Sequence, residues 1–153
     1  MPRLAFTVPG VPRGKGRPRF SKVGKFVKTF TDAKTEHYEN RILVFFKQAA
    51  PTHRAIPKSV PVAVEMRAHF PIPASWSKRR KSECFEYLGK PDTDNIVKCL
   101  DALNAIAWVD DSQIWRVDVK KSYTLGEPRL EIVLVWGVET LRPMGERNGH
   151  LAV

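Results

Sequence analysis

The sequence predicts an α+β domain of two layers, a mixed β-sheet with helices packed on one face. Three observations point there. Residues 60–70 alternate, with Val62, Val64, Met66 and Ala68 set against Ala63, Glu65, Arg67 and His69, the period of a half-buried strand. Tyr38, Ile42, Phe45, Phe46 and Ala49 recur at the spacing of one helix face. The element order reads strand–helix–strand–helix–strand–strand, which a single sheet with helices on one side accommodates. At 153 residues, 42% hydrophobic and 27% charged, the chain is of ordinary composition and long enough to bury one core.

Taken in order, Leu4 to Val8 form a short strand stopped by Pro9 and Gly10. Three glycines and a proline between Arg13 and Lys28 forbid a regular helix and make a loop. Lys25 to Phe30 read as a short strand or hairpin arm. Thr31 or Asp32 then caps a helix that runs to about Ala50, where Pro51 ends it. After the strand over 60–70, residues 71–91 are irregular and basic, with a helical turn expected near Ser82 to Leu88. A helix over 94–106 follows, with Ile96, Val97, Leu100, Leu103 and Ala107 on its apolar side. Residues 112–123 and 129–136 alternate again about a turn at Gly126, Glu127 and Pro128, and are expected to pair antiparallel. The domain is therefore placed at 1–136. Residues 137–153 lack any period and are expected to be a partly disordered C-terminal tail.

Charge sets the functional class. Twenty-six Lys and Arg against sixteen Asp and Glu give +10 at pH 7, which implies a polyanionic partner, most simply nucleic acid. Seven of the cations fall between Arg13 and Lys28 with no acid among them. Arg13, Lys15, Arg17 and Arg19 are candidate phosphate contacts, and Phe20 is placed to stack on a base. A second basic run, Lys78, Arg79, Arg80 and Lys81 beside Trp76, is a further candidate DNA contact; an exposed loop is its plain alternative. Cys84 and Cys99 make neither a metal-spaced pair nor a disulfide framework, and Cys99 is expected in the core. There is no apolar run that could span a bilayer and no signal peptide, so a cytoplasmic protein with no membrane partner is expected.

Against this basic background stand five acids between positions 92 and 111: Asp92, Asp94, Asp101, Asp110 and Asp111. Asp94, Lys98 and Asp101 share one face of the expected helix, and Asp92 sits where a side-chain oxygen can cap it. Carboxylates bind hard divalent cations through oxygen, and Mg²⁺ takes few protein ligands. Asp92, Asp94 and Asp111 are suited to hold one, and Lys98 to meet charge developing on a phosphodiester. The plain alternative is a helix cap, a surface Asp–Lys pair and an ordinary turn. On the residues alone the reading is a nucleic-acid protein, with a metal nuclease and a non-catalytic DNA-binding or packaging accessory both open.

The motif Asp92-Thr93-Asp94-Asn95-Ile96-Val97-Lys98, followed by Asp101-Ala102-Leu103 and by Trp108-Val109-Asp110-Asp111-Ser112-Gln113, resembles that of the RusA family of Holliday-junction resolvases. The opening strand, Pro-Gly-x-Pro and the run Lys15 to Arg19 are similar to its phage members. The resemblance extends over about residues 4–136. It implies a Mg²⁺-dependent endonuclease, with Mn²⁺ able to substitute and no organic cofactor. It also implies a homodimer acting on branched DNA and cutting symmetry-related strands of a four-way junction during recombination and repair. By position it makes Asp92, Asp94 and Asp111 the metal ligands and Lys98 the catalytic cation. Asp110 either assists or only shapes its turn, and Asn95, Asp101 and Gln113 are given supporting roles. A nuclease for flaps or forks is the other enzymatic alternative.

Overall fold

In the computed structural model, which describes residues 1–137, a four-stranded mixed sheet carries its helices on one face. The strands are β1 (Arg3–Pro9), β4 (Val62–Pro71), β5 (Ile114–Thr124) and β6 (Arg129–Trp136), in the order β1-β6-β4-β5. A separate two-stranded hairpin is built from β2 (Arg19–Val23) and β3 (Phe26–Phe30). The helices are α1 (Ala33–Ala49), α2 (Lys78–Glu83) and α3 (Thr93–Lys98), with a 3₁₀ turn over Cys99–Leu103 and another over Asp111–Gln113. Apart from Gly137, the tail expected over 137–153 lies outside the described residues.

Helix α1 follows its sequence cues. Asp32 accepts from the Thr35 backbone N–H at 2.7 Å and caps the first turn. Thr35, Tyr38, Ile42 and Phe46 are buried, and Phe6 of β1 meets Phe46 edge to face at 5.6 Å. β4 alternates as expected, burying Val62, Val64, Met66, Ala68 and Phe70 while Glu65 and Arg67 face outward. With Val8, Ile96, Leu100, Leu103, Trp108, Leu130, Ile132 and Leu134 these make one continuous core between sheet and helices. No helix among the described residues is long and apolar enough to cross a membrane.

Three expectations are corrected. β5 and β6 are not neighbours: β4 lies between them, parallel to β5 and antiparallel to β6. The crossover through α2 and α3 returns the chain parallel to β4, and the turn at Gly126 leads β6 past it to pair with β1 as well. The helix expected over 94–106 is α3 only as far as Lys98, then tightens to 3₁₀. Leu100 and Leu103, three apart, align in such a turn, and both are buried. The helical turn expected near 82–88 comes earlier, as α2. Residues Phe85 and Tyr87 instead run extended along β5, through Tyr123 N–H to Phe85 O and Tyr87 N–H to Lys121 O.

Candidate active site

The acidic motif sits on the helix face of the sheet, with α3 packed beside β5. Asp92 occupies the N-cap position of α3 but makes no cap bond. Its carboxylate is taken by Lys90, whose Nζ stands 2.8 and 2.9 Å from the two oxygens. That ammonium holds the Asp92 carboxyl below its usual range, with Lys121 adding to the effect. Asp94 is paired with Lys98 at 3.6 Å, and Lys98 also reaches Asn95 Oδ1 at 3.4 Å. Both Asp92 and Asp94 are exposed.

The turn bearing Asp92 is fastened from below. Lys121 of β5 donates to the carbonyls of Gly89 (2.8 Å) and Pro91 (3.0 Å), and Tyr87 Oη donates to Lys90 O at 2.8 Å. The Tyr87 ring stacks on Phe70 of the core at 3.8 Å, with Lys121 Nζ 5.4 Å over it. Sequence reading missed Lys121 and Tyr87 as positioning residues. The only trace of Lys121 was a cation at an inward position of an otherwise apolar strand face.

The two later acids serve the fold around them. Asp111 Oδ1 accepts from Trp108 Nε1 at 2.8 Å, and Trp108 is fully buried. Asp110 shapes its turn by a reciprocal cap: its side chain accepts from Ser112 N–H, and Gln113 Oε1 accepts from Asp110 N–H at 2.8 Å. Asp110 also faces Lys58 at 3.8 Å. Gln113 Nε2 lies within 3.1 Å of the carbonyls of Ile56, Pro57 and Val60, tying the approach to β4 to the approach to β5.

The expected metal set of Asp92, Asp94 and Asp111 is not gathered by one chain. Asp92 lies beside Lys121, whereas Asp111 precedes Ile114 at the other end of β5. At ~3.3 Å per residue, the strand from Ile114 to Lys121 covers roughly 20 Å. Among the described residues no three His, Cys, Asp or Glu stand close enough to hold an ion. The pair Asp92 and Asp94 still fits a hard cation in donor chemistry. Both present exposed carboxylate oxygens, their partners are flexible lysines, and Mg²⁺ is commonly held by one or two carboxylates together with substrate phosphate.

The basic loop is laced onto this motif. Lys15 N–H donates to Asn95 O at 2.9 Å, Gly16 N–H to Thr35 Oγ1 at 2.9 Å, and Cys99 Sγ to Arg13 O at 3.3 Å. Gly14 passes so close to α3 that a Cβ there would stand 2.6 Å from Pro91 Cβ and 2.8 Å from Asn95 Cβ. Lys15, expected to contact DNA, is committed inward. It bridges Asp101 at 2.8 Å and Glu39 at 3.3 Å, and Asp101 above all raises its pKa. Arg13, Arg17 and Arg19 remain exposed.

Arg13 and Arg19 line a cleft of about 680 Å³ together with Lys34, Lys90 and Pro91, so it opens next to Asp92. A second cleft, of about 610 Å³, shares Arg13 and Lys34 and adds His37 and Arg41. Lys34 and Arg41 were missed because a helix cation reads as ordinary surface. In the other basic run, Lys78 is exposed, Arg79 pairs with Glu83 at 2.9 Å, and Arg80 lies over the Trp76 ring at 4.0 Å.

Residues 9–135 match the family described as endodeoxyribonuclease RusA. The chain belongs to that family. It is also 33% identical over 141 residues to a protein of Bacillus subtilis (strain 168) named "Uncharacterized protein YqaN", a match covering 86% of this chain and 94% of that protein. Within the RusA match fall the whole of the acidic motif, the basic loop and both clefts.

Proposed function

We propose that the protein is a divalent-metal-dependent endonuclease that resolves four-way DNA junctions as a homodimer during recombination and repair. The observation that carries the reading is adjacency: a cleft lined by Arg13, Arg19, Lys34 and Lys90 opens beside Asp92, at the head of a helix that also bears Asp94 and Lys98. Membership of an endodeoxyribonuclease family supports it.

The cations of the cleft take the phosphates of an incoming strand and release its counterions. Lys90 and Lys98, now on Asp92 and Asp94, exchange these carboxylates for phosphate oxygens, which frees both carboxylates. Asp92 and Asp94 would then hold Mg²⁺ or Mn²⁺, which supplies activation of a water and polarisation of the scissile phosphate. Lys98 would meet charge developing on the phosphoryl oxygens. Lys121 and Tyr87 keep the Asp92 turn in place throughout. A two-fold junction calls for two equivalent sites, which a homodimer provides.

The test is cleavage of a labelled four-way junction with Mg²⁺ and with EDTA, beside linear duplex and the Asp94→Asn variant. Paired, metal-dependent nicks at the branch, lost in Asp94→Asn while junction binding persists, are expected. Cleavage of flaps and forks at equal or greater rate would redirect the substrate. One observation favours the non-catalytic alternative: Asp92, Asp94, Asp101 and Asp110 each already face a lysine. Tight binding indifferent to Mg²⁺, with no product at any excess of protein, would decide for it.

A further inference from the structure

Beyond its base, where Arg19 and Phe30 line the cleft, the hairpin of β2 and β3 takes no part in the site described above. It forms its own sheet, and all ten residues of its two strands are exposed. Val23 pairs with Phe26 across a two-residue turn in which Gly24 takes φ +61°, as a tight hairpin turn requires of its first central residue. At ~3.4 Å per residue its strands reach roughly 17 Å. The base, at Arg19 and Phe30, lines the cationic cleft, so the ribbon leads away from that cleft toward its tip.

Two features of the ribbon point to its partner. It bears large apolar side chains in water on both faces: Phe20 is 71% exposed and Phe26 80% exposed, with Val23, Val27 and Phe30 also exposed. It also bears a cation at every third position, Arg19, Lys22, Lys25 and Lys28, and no acid. The register sets Phe26 opposite Val23 at the tip, with Lys28 and Ser21 next on the same face; Phe20, Thr29, Lys22 and Val27 share the other. A protein partner would have to desolvate lysines among the rings, and lysine is depleted at interfaces. DNA accommodates both together, because phosphates take the ammonium heads while bases stack on the rings.

We infer that this hairpin is the element that enters the branch point of the junction, with Phe26 at its tip stacking on bases left open there and Lys22, Lys25 and Lys28 on the flanking phosphates. This rests on the junction reading above. A continuous duplex offers the tip no unstacked base, so the ring contacts are made on branched DNA alone. The lysine contacts are made on either substrate.

The experiment measures binding to a four-way junction carrying 2-aminopurine at the branch, and to a linear duplex of equal length, at one salt concentration. Wild type, Phe26→Ala, Phe20→Ala and Lys25→Ala/Lys28→Ala are compared in the full chain. With Phe26→Ala, junction affinity is expected to fall roughly ten- to hundredfold and the rise in 2-aminopurine fluorescence to vanish, with duplex affinity unchanged. The double lysine variant is expected to weaken both substrates alike. A Phe26→Ala protein that keeps its junction preference, or loses affinity equally for both, overturns the wedge while leaving the resolvase reading intact. No junction preference in the wild type overturns both. A change from dimer to monomer in Phe26→Ala assigns the tip to a second copy of this chain and overturns the inference.

Discussion

Lys121 Nζ donates to the Pro91 carbonyl at 3.0 Å, one residue ahead of Asp92, from a strand face it shares with the half-buried Val119 and Tyr123. The same ammonium holds Gly89 O at 2.8 Å, so a single cation closes both ends of the turn that presents the first carboxylate of the motif. Its ammonium also lies 5.4 Å over the ring of Tyr87, which is itself stacked on Phe70. The geometry of the turn that carries Asp92 is thus set from the sheet.

Lys121→Met keeps the stem and removes the head. The two carbonyls lose a charged donor, for a stability loss of about 1–2 kcal/mol. Cleavage is expected to fall about tenfold or more, since small displacements at a reacting centre are expensive in rate. Junction affinity should stay within a few-fold, because the cleft cations are untouched. Thermal denaturation and single-turnover cleavage check both parts. Wild-type cleavage in a destabilised Lys121→Met protein would remove the positioning role.

Lys15 and Arg17 are two residues apart in one basic loop and should behave differently. Lys15 is turned in to Asp101 and Glu39, whereas Arg17 is exposed. Lys15→Met is expected to lower stability by about 1 kcal/mol, discounted for the half-exposed Asp101, and to leave the salt dependence of DNA binding unchanged. Arg17→Ala is expected to leave the melting temperature in place and to reduce the slope of log K against log salt by about 0.9. Salt titrations of the two variants side by side distinguish a latch from a phosphate contact.

Gln113→Leu removes every polar bond of a buried amide. Three carbonyls between Ile56 and Val60 lose their donor, and the Asp110 N–H loses its acceptor. A loss of about 2–4 kcal/mol is expected, read as a lower urea midpoint with an unchanged m-value. The loss follows from leaving buried polar groups unpaired, so a less than 1 kcal/mol change would mean that water replaces the amide.

Much of this was legible in the chain, and the reason differs by element. α1 was readable to within a residue because its cap, apolar stripe and terminating proline agree. β4 was readable because both its faces are patterned. The neighbour relation of β5 and β6 was not, since alternation fixes which face a strand buries and says nothing about what is inserted between two strands. The shortening of α3 was hidden because Leu100 and Leu103 suit an α-helix and a 3₁₀ turn equally. The acids were found as residues, but of their partners only Lys98, four positions from Asp94, was. Lys15 and Asp101 are 86 positions apart, and only the fold brings them together. Lys121 was hidden for the same reason.

A thiol lies under the basic loop. Cys99 is buried, and its Sγ donates to the carbonyls of Arg13 and Asn95. Burial, with the nearby Glu39 carboxylate, pushes its pKa from 9.0 up to about 12. Cys84 is only half-buried. In the native protein a thiol reagent is therefore expected to titrate Cys84 and spare Cys99, and to reach both in denaturant. The shift also sets a pH dependence. Above pH 9 the unfolded chain has released a proton that the folded chain retains, so the unfolded state binds fewer protons and stability falls with rising pH until about 12. Lys15 acts in the same direction, because its raised pKa means its ion pairs are complete at neutral pH and are lost only as pH climbs through the folded value. Melting temperatures measured from pH 8 to pH 11 should decline throughout the upper part of that range. Cys99→Ala should start lower, through the small cavity it leaves, and decline less steeply. A parallel decline in the two proteins would show that the thiol is already ionised in the fold.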